Sequence, residues 1–372
     1  MRLNFCISSK STAAQNAEKK TQISVPPISK KWVAVGRGES GPARDPAVRG
    51  RLTNQRIGLR IRPPIRSMDT RGGCPSTNHM SKRVRARPPD LSQEVRTISD
   101  LRSVYPVNQD AEGIIPKIRN FALDMDGTVY LDETWIDGAL EFLARIEQTG
   151  RKYCFMTNNS SKNAQVYVEK LHRMGLDIDP EKQLITSGHA TVAYLKEHFP
   201  GKKVYLFGNQ VLLDEFEQRG IQLEEDHPDV VVSAFDTSFD YPKLRKFCDF
   251  IRDGLPYIGT HPDYNCPTKT GFMPDIGSLH AYIQASTGRM PDKIVGKPNK
   301  EIIDYTLNVL GGEPGNTAVV GDRLYTDVKS GVFNGLYGIF VLSGEAQLVD
   351  LPTSDVQPHL IFDSVKDIIP LL

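Results

Sequence analysis

From about residue 115 to its end the chain alternates short apolar runs with stretches of helical periodicity, and few folds accept such a pattern. Strands separated by helices pair in parallel, because each crossover helix returns the chain to the starting edge of the sheet. The apolar runs predict strands at 119–123, 152–156, 204–207, 230–234, 256–259, 293–296, 317–320 and 338–342. Helices are expected at 163–174, 188–198, 211–219, 241–252, 278–287 and 299–310, with Gly175, Gly220, Gly254, Gly288 and Gly311 at their C-terminal caps. The fold class is therefore α/β around a parallel sheet, and 372 residues suffice for a sizeable core.

The first hundred residues break the pattern. They carry 20 Lys and Arg against 7 Asp and Glu, whereas the remaining 272 carry 26 against 38, so a basic extension precedes an acidic body. Runs such as Arg60-Ile61-Arg62-Pro63-Pro64-Ile65-Arg66 bury too little apolar surface to offset the entropy of ordering, and residues 1–105 are expected to be disordered. Four readings stay open for the extension: an organelle-targeting segment, a nucleic-acid tail, a nonfunctional extension, or sequence upstream of a truer start such as Met68 or Met80. A nucleic-acid role is disfavoured because no aromatic residues interleave the basic ones. Five cysteines, Cys6, Cys74, Cys154, Cys248 and Cys266, are odd in number and never paired as Cys-x-x-Cys, which points to a reducing cytoplasm. No run of about 18 apolar residues is available to span a bilayer, so no membrane partner is expected.

Four clusters of chemistry-bearing residues sit where strands should end. Asp124-Met125-Asp126-Gly127-Thr128 follows the run 118–123, and extended backbone would give its two carboxylates the same facing. One acid could attack while the other moves a proton, with the Thr128 hydroxyl orienting the second. A calcium loop starting at Asp124 would need glycine and glutamate where Val129 and Trp135 stand; an acidic surface turn stays open. Thr157-Asn158-Asn159 follows the strand at 152–156 and offers hydroxyl and amide groups to phosphoryl oxygens, or simply caps the next helix. Lys297 ends the strand at 293–296 and could neutralise a carboxylate and an anionic substrate together. Gly321-Asp322, with Asp327 five residues after Asp322, suits a hard cation that needs oxygen ligands, Mg²⁺ being the natural candidate, although a helix-capping Asp327 is the plainer reading.

The four clusters in this order resemble the motifs of the haloacid dehalogenase (HAD) superfamily, and residues 115–372 are similar to its NagD-like branch of sugar-phosphate, nucleotide and 4-nitrophenyl phosphatases. The resemblance implies a doubly wound core formed by 115–187 and 291–372, with an α/β cap domain inserted at 188–290. Two cap loops, Ile258–Asp263 and Met273–Ser278, also resemble the family's. There the family more often shows asparagine in place of His261 and glycine in place of Asp275, which leaves substrate choice open.

Carried onto this chain, the resemblance implies a Mg²⁺-dependent phosphomonoester hydrolase for a small phosphorylated metabolite. Asp124 would be the nucleophile that forms an aspartyl-phosphate, and Asp126 the acid and then the base. Asp124, the carbonyl of Asp126 and Asp322 would hold Mg²⁺ with support from Asp327. Thr157, Asn158 and Asn159 would bind the phosphoryl group, and Lys297 would balance charge. The formal charges leave such a site net negative, so Asp126 is expected to meet substrate as the neutral acid. A phosphomutase of the same fold and a non-catalytic phosphate-binding regulator remain alternatives; a metal-free dehalogenase is disfavoured by Asp126. His261, Asp263 and Asn265 are candidate cap contacts for substrate or plain turn formers, and a homodimer through the cap is open.

Overall fold

The computed structural model describes residues 98–268 and 271–372. Six strands form an all-parallel sheet in the order Leu360–Phe362, Tyr337–Val341, Thr317–Gly321, Asn120–Leu123, Lys152–Thr157, Leu184–Thr186. Asn120 pairs with Thr317 on one side and Lys152 on the other, which puts the expected first strand at the centre of the sheet. Its residues are buried on both faces. Phe121 and Leu123 join a cluster with Phe142, Phe155 and Leu171, while Ala122 faces a second cluster with Met156, Ile302 and Val319. That two-sided burial is why the strands read as continuous apolar runs. The chain winds outward from Asn120–Leu123 in one direction first and later in the other, leaving a topological switch beside Thr317–Gly321 where ligands settle in sheets of this kind.

Between Thr186 and Thr317 the chain builds a second parallel sheet in the order Lys293–Ile294, Tyr257–Gly259, Val230–Ser233, Val204–Phe207. Helices Gln210–Gln218, Tyr241–Arg252 and Ile276–Thr287 belong to this insert, as does an antiparallel pairing of Asn265–Thr268 with Gly271–Pro274. Helix starts follow capping chemistry: Asn163, Asn209 and Asp240 each accept a backbone N–H of the first turn. At the far ends Gly288 and Gly311 adopt left-handed φ of 77° and 64°, closing Ile276–Thr287 and Lys300–Leu310 at little steric cost.

Beyond shifts of one or two residues at element ends, two boundaries differ from expectation. The strand at 293–296 shrinks to Lys293–Ile294 and pairs in the insert's sheet, so the insert continues past residue 290. The region read as disordered, 1–105, is described only from residue 98, and 98–105 is ordered: Ile98–Val104 is a helix, and Leu101 and Tyr105 pack with Leu348 and Leu351. The rest of that expectation lies outside the described residues. Short elements at Leu184–Thr186, Leu360–Phe362 and the paired Tyr130–Leu131 and Thr134–Trp135 had no expectation at all. Among the described residues no helix is long and apolar enough to cross a membrane.

Candidate active site

The central strand stops at Leu123, one residue before the first acid, so the two-residue strand period does not set the facing of Asp124 and Asp126. The Asp124 N–H still donates to Val320 O at 2.9 Å, which anchors a largely buried side chain at the switch point. Asp126 lies beyond it in a turn, more than half exposed in the cleft, with Oδ1 3.9 Å from Lys170 Nζ. The side chain keeps contact with solvent, yet the protein packed around the cleft partly desolvates it and raises the Asp126 pKa, with Lys170 opposing the rise and Asp124 adding to it. The expected link from Thr128 to the second acid is absent: Thr128 Oγ1 is fully buried and has no hydrogen-bond partner.

Lys297 is the hub of the site. Its ammonium is buried and donates to Asp124 Oδ1 at 2.6 Å, Asp327 Oδ1 at 2.7 Å and Met156 O at 2.9 Å. Burial would strip its proton, yet the two carboxylates outweigh burial and hold the pKa above the ordinary lysine range. One ammonium does not satisfy the acids around it. Burial, then Asp124 and Asp327, push Asp322 up to about 8; burial and then Asp124 push Asp327 up to about 6 against the pull of Lys297.

Asp124, Asp322 and Asp327 each offer an oxygen within 4.8 Å of the others, and Asp322 Oδ1 is buried without a hydrogen-bond partner. Clustered hard oxygen donors with an orphaned lone pair and unrelieved mutual repulsion fit a divalent cation such as Mg²⁺. The pocket leaves no slack: a Cβ at Gly127 or Gly344 would fall on the Asp322 carboxylate, and one at Gly321 on Asp327.

The Thr157–Asn159 segment closes the next side. Thr157 and Asn159 line the cleft, with Thr157 Oγ1 accepting from Asn159 N at 3.2 Å and Asn159 Oδ1 from Ser161 N at 2.9 Å. The Asn158 side chain is not free for a phosphoryl oxygen. Its Nδ2 donates to Lys297 O and Asp263 Oδ1, both at 3.0 Å, and its Oδ1 accepts from Lys297 N at 2.7 Å.

The insert covers a cleft of about 580 Å³ that Asp263, Asn265 and Asp275 help to line. His261 does not reach the cleft. It is fully buried 3.7 Å from Asp263 and 3.6 Å from Asp275, and burial lowers its pKa. Burial also raises the pKa values of Asp263 and Asp275. Three further cationic residues line the cleft without a motif in the sequence to announce them: Lys162, Lys170 and Arg323. Arg323 follows Asp322 directly, so the neighbouring acid was the available signal. Its guanidinium donates to Glu345 at 2.9 Å and lies 4.0 Å from Asp263, and although burial works against its charge, Asp124 and other acids raise its pKa.

Residues 121–222 match a family described as haloacid dehalogenase-like hydrolases, and residues 294–368 match a HAD-hydrolase-like family. An acid sugar phosphatase of Staphylococcus aureus is 34% identical over 250 residues, covering 67% of this chain and 96% of that protein. Among solved structures, a 4-nitrophenylphosphatase from Thermotoga maritima superposes with a TM-score of 0.67 at 42% identity, over 69% of this chain and 98% of that one. NagD from Escherichia coli K-12 does so with a TM-score of 0.63 at 33% identity, over 68% and 98%.

Proposed function

This chain belongs to the haloacid dehalogenase-like hydrolases, as a phosphatase of their NagD-like branch, and on that premise we propose that it hydrolyses a small phosphorylated metabolite through an aspartyl-phosphate on Asp124. The observation that carries the reading is the Lys297 ammonium held against Asp124 at the switch point, with Asp126 projecting into the same cleft. In this reading Asp124 Oδ attacks phosphorus as the bond to the leaving oxygen breaks, and Asp126 gives that oxygen a proton. Asp126, now ionised, takes a proton from water, which attacks phosphorus and releases Asp124 and inorganic phosphate. The raised pKa of Asp126 favours the neutral acid that the first step requires.

Asp124 and Asp322, with the carbonyl of Asp126 and Asp327 nearby, would hold Mg²⁺, which supplies positive charge against the transferring phosphoryl group. Lys297 holds Asp124 in place through the 2.6 Å contact to Oδ1, and Thr157 and Asn159 bound the phosphoryl site. A cleft of about 580 Å³ suits a sugar phosphate, nucleoside monophosphate or similar ester, in keeping with the acid sugar phosphatase relative. The free, buried thiols of Cys154 and Cys248 agree with a cytoplasmic setting.

The test is a panel of phosphomonoesters assayed with and without Mg²⁺ on the wild type and Asp124→Asn. Steady phosphate release from a single monoester, dependent on Mg²⁺ and lost in Asp124→Asn by at least about 10³-fold, is expected. Wild-type turnover in Asp124→Asn overturns the reading, and release that needs an added bisphosphate favours a mutase.

A further inference from the structure

The insert sends one carboxylate to the core. Asp263 sits on the loop after Tyr257–Gly259, and its side chain is only 6% exposed. Oδ1 accepts from Asn158 Nδ2 at 3.0 Å, while Oδ2 stands 3.7 Å from His261 Nδ1 and 4.0 Å from Arg323 Nη1. A buried carboxylate whose nearby guanidinium, that of Arg323, stands 4.0 Å away and whose neighbouring imidazole is pushed towards the neutral form costs desolvation that an apolar residue would avoid, so it contributes little to fold stability.

Asn158 shows what the carboxylate does. Its amide clasps Lys297 from both sides, accepting from the backbone N–H at 2.7 Å and donating to the backbone carbonyl at 3.0 Å. An amide can turn over, and a turned Asn158 would set NH₂ against N–H and oxygen against the Lys297 carbonyl. Asp263, which when ionised only accepts, adds a second penalty to that state by facing the amide oxygen. Gly296 tightens the junction, since a Cβ there would lie 2.6 Å from Asn158 Oδ1 and 2.7 Å from His261 Cβ.

We propose that Asp263 is a positioning residue that acts through Asn158 to fix the Lys297 backbone, and with it the ammonium at Asp124. The proposal rests on the reading of Lys297 as the charge partner of the nucleophile. A group carried by the insert thereby sets the geometry of a group carried by the core. Displacement of reacting groups by about 1 Å costs on the order of 10²-fold, so loss of the contact lowers kcat while substrate binding stays nearly unchanged.

The experiment measures kcat and KM for 4-nitrophenyl phosphate at saturating Mg²⁺ in Asp263→Ala, Asp263→Asn, Asn158→Ala, the Asn158→Ala/Asp263→Ala double variant and Lys297→Met. Asp263→Ala is expected to lose about 10- to 100-fold in kcat with KM held. Asp263→Asn, whose oxygen still accepts from Asn158, recovers most of it, and Asp263→Ala costs nothing further once Asn158 is alanine. Wild-type kcat in Asp263→Ala, additive losses in the double variant, or equal loss with raised KM in Asp263→Asn overturns the proposal. If Asp263→Ala does not fold, Asp263→Leu takes its place with the same outcomes. Lys297→Met separates the two claims: turnover retained there removes the underlying reading, whereas turnover lost there beside an unaffected Asp263→Ala removes the positioning role alone.

Discussion

Two groups of buried acids, one in the core and one in the insert, are buried on opposite terms. In the core, Asp124 and Asp327 share one ammonium, Asp322 lies close to both without touching it, the three repel one another, and Asp322 keeps an oxygen with no hydrogen-bond partner. In the insert, Asp263 accepts from an amide and Asp275 caps the helix Ile276–Thr287 by accepting from Ile276 N at 2.6 Å. Burial alone therefore does not mark a metal site. Carboxylates left short of donors call for a cation, whereas carboxylates given neutral donors orient the groups around them.

The largest test of this contrast removes the shared ammonium. Lys297→Met should destabilise the metal-free protein by about 3–5 kcal/mol, the usual result of taking one partner from a buried ion pair, as read in urea unfolding. A loss below about 1 kcal/mol would mean that the core acids are already neutral. Next comes the glycine wall: Gly344→Ala drives a methyl group into Asp322 and should weaken Mg²⁺ binding about 10- to 100-fold by calorimetry. The matching change in the insert, Gly277→Ala, crowds the carbonyls of Pro262 and Asp263 and should spare Mg²⁺ affinity.

A gentler probe is pH. Asp322 and Asp327 have folded-state pKa values above those of unfolded carboxylates, so the folded state holds extra protons between about 4 and about 8. Metal-free protein should lose stability as pH rises through about 6 and then about 8, and Mg²⁺ should restore more of the Tm at pH 8 than at pH 5. A Mg²⁺ shift independent of pH would contradict the charge imbalance. The smallest effect belongs to the insert: Asp275→Asn should change stability by no more than about 0.5 kcal/mol by thermal melting, because asparagine caps a helix as well as aspartate does.

The sequence made the core's half of this contrast readable and hid the other half. Asp124 and Asp322 each follow an apolar strand, and the neighbouring parallel strands Asn120–Leu123 and Thr317–Gly321 had to bring them together, whereas Lys297 arrives just after Lys293–Ile294 of the insert's sheet and Asp327 from the helical turn after Asp322. The sequence points Asn158 at a phosphoryl group and is silent on its side-chain partners, because Asp263 and Lys297 lie 105 and 139 residues away and no local pattern reports them. The sequence offers Asp263 and His261 alike as substrate contacts or turn formers, and only packing separates the pair: one lines the cleft and the other is sealed behind it. Lys293–Ile294 has two residues in register, too few to announce which sheet it joins. Helix Ile98–Val104 was lost in the basic composition that precedes it, although Leu101 and Tyr105 were its apolar markers.

That short helix also decides where the folded body can be joined to anything else. Leu101 and Tyr105 pack with Leu348, Leu351 and Val356, and the Arg102 guanidinium grips Asp363 at 2.5 Å. An affinity tag or fused domain attached before Ile98 keeps this seam shut. Attached at residue 106, it would peel the seam open and turn the leucines beneath into a sticky flank.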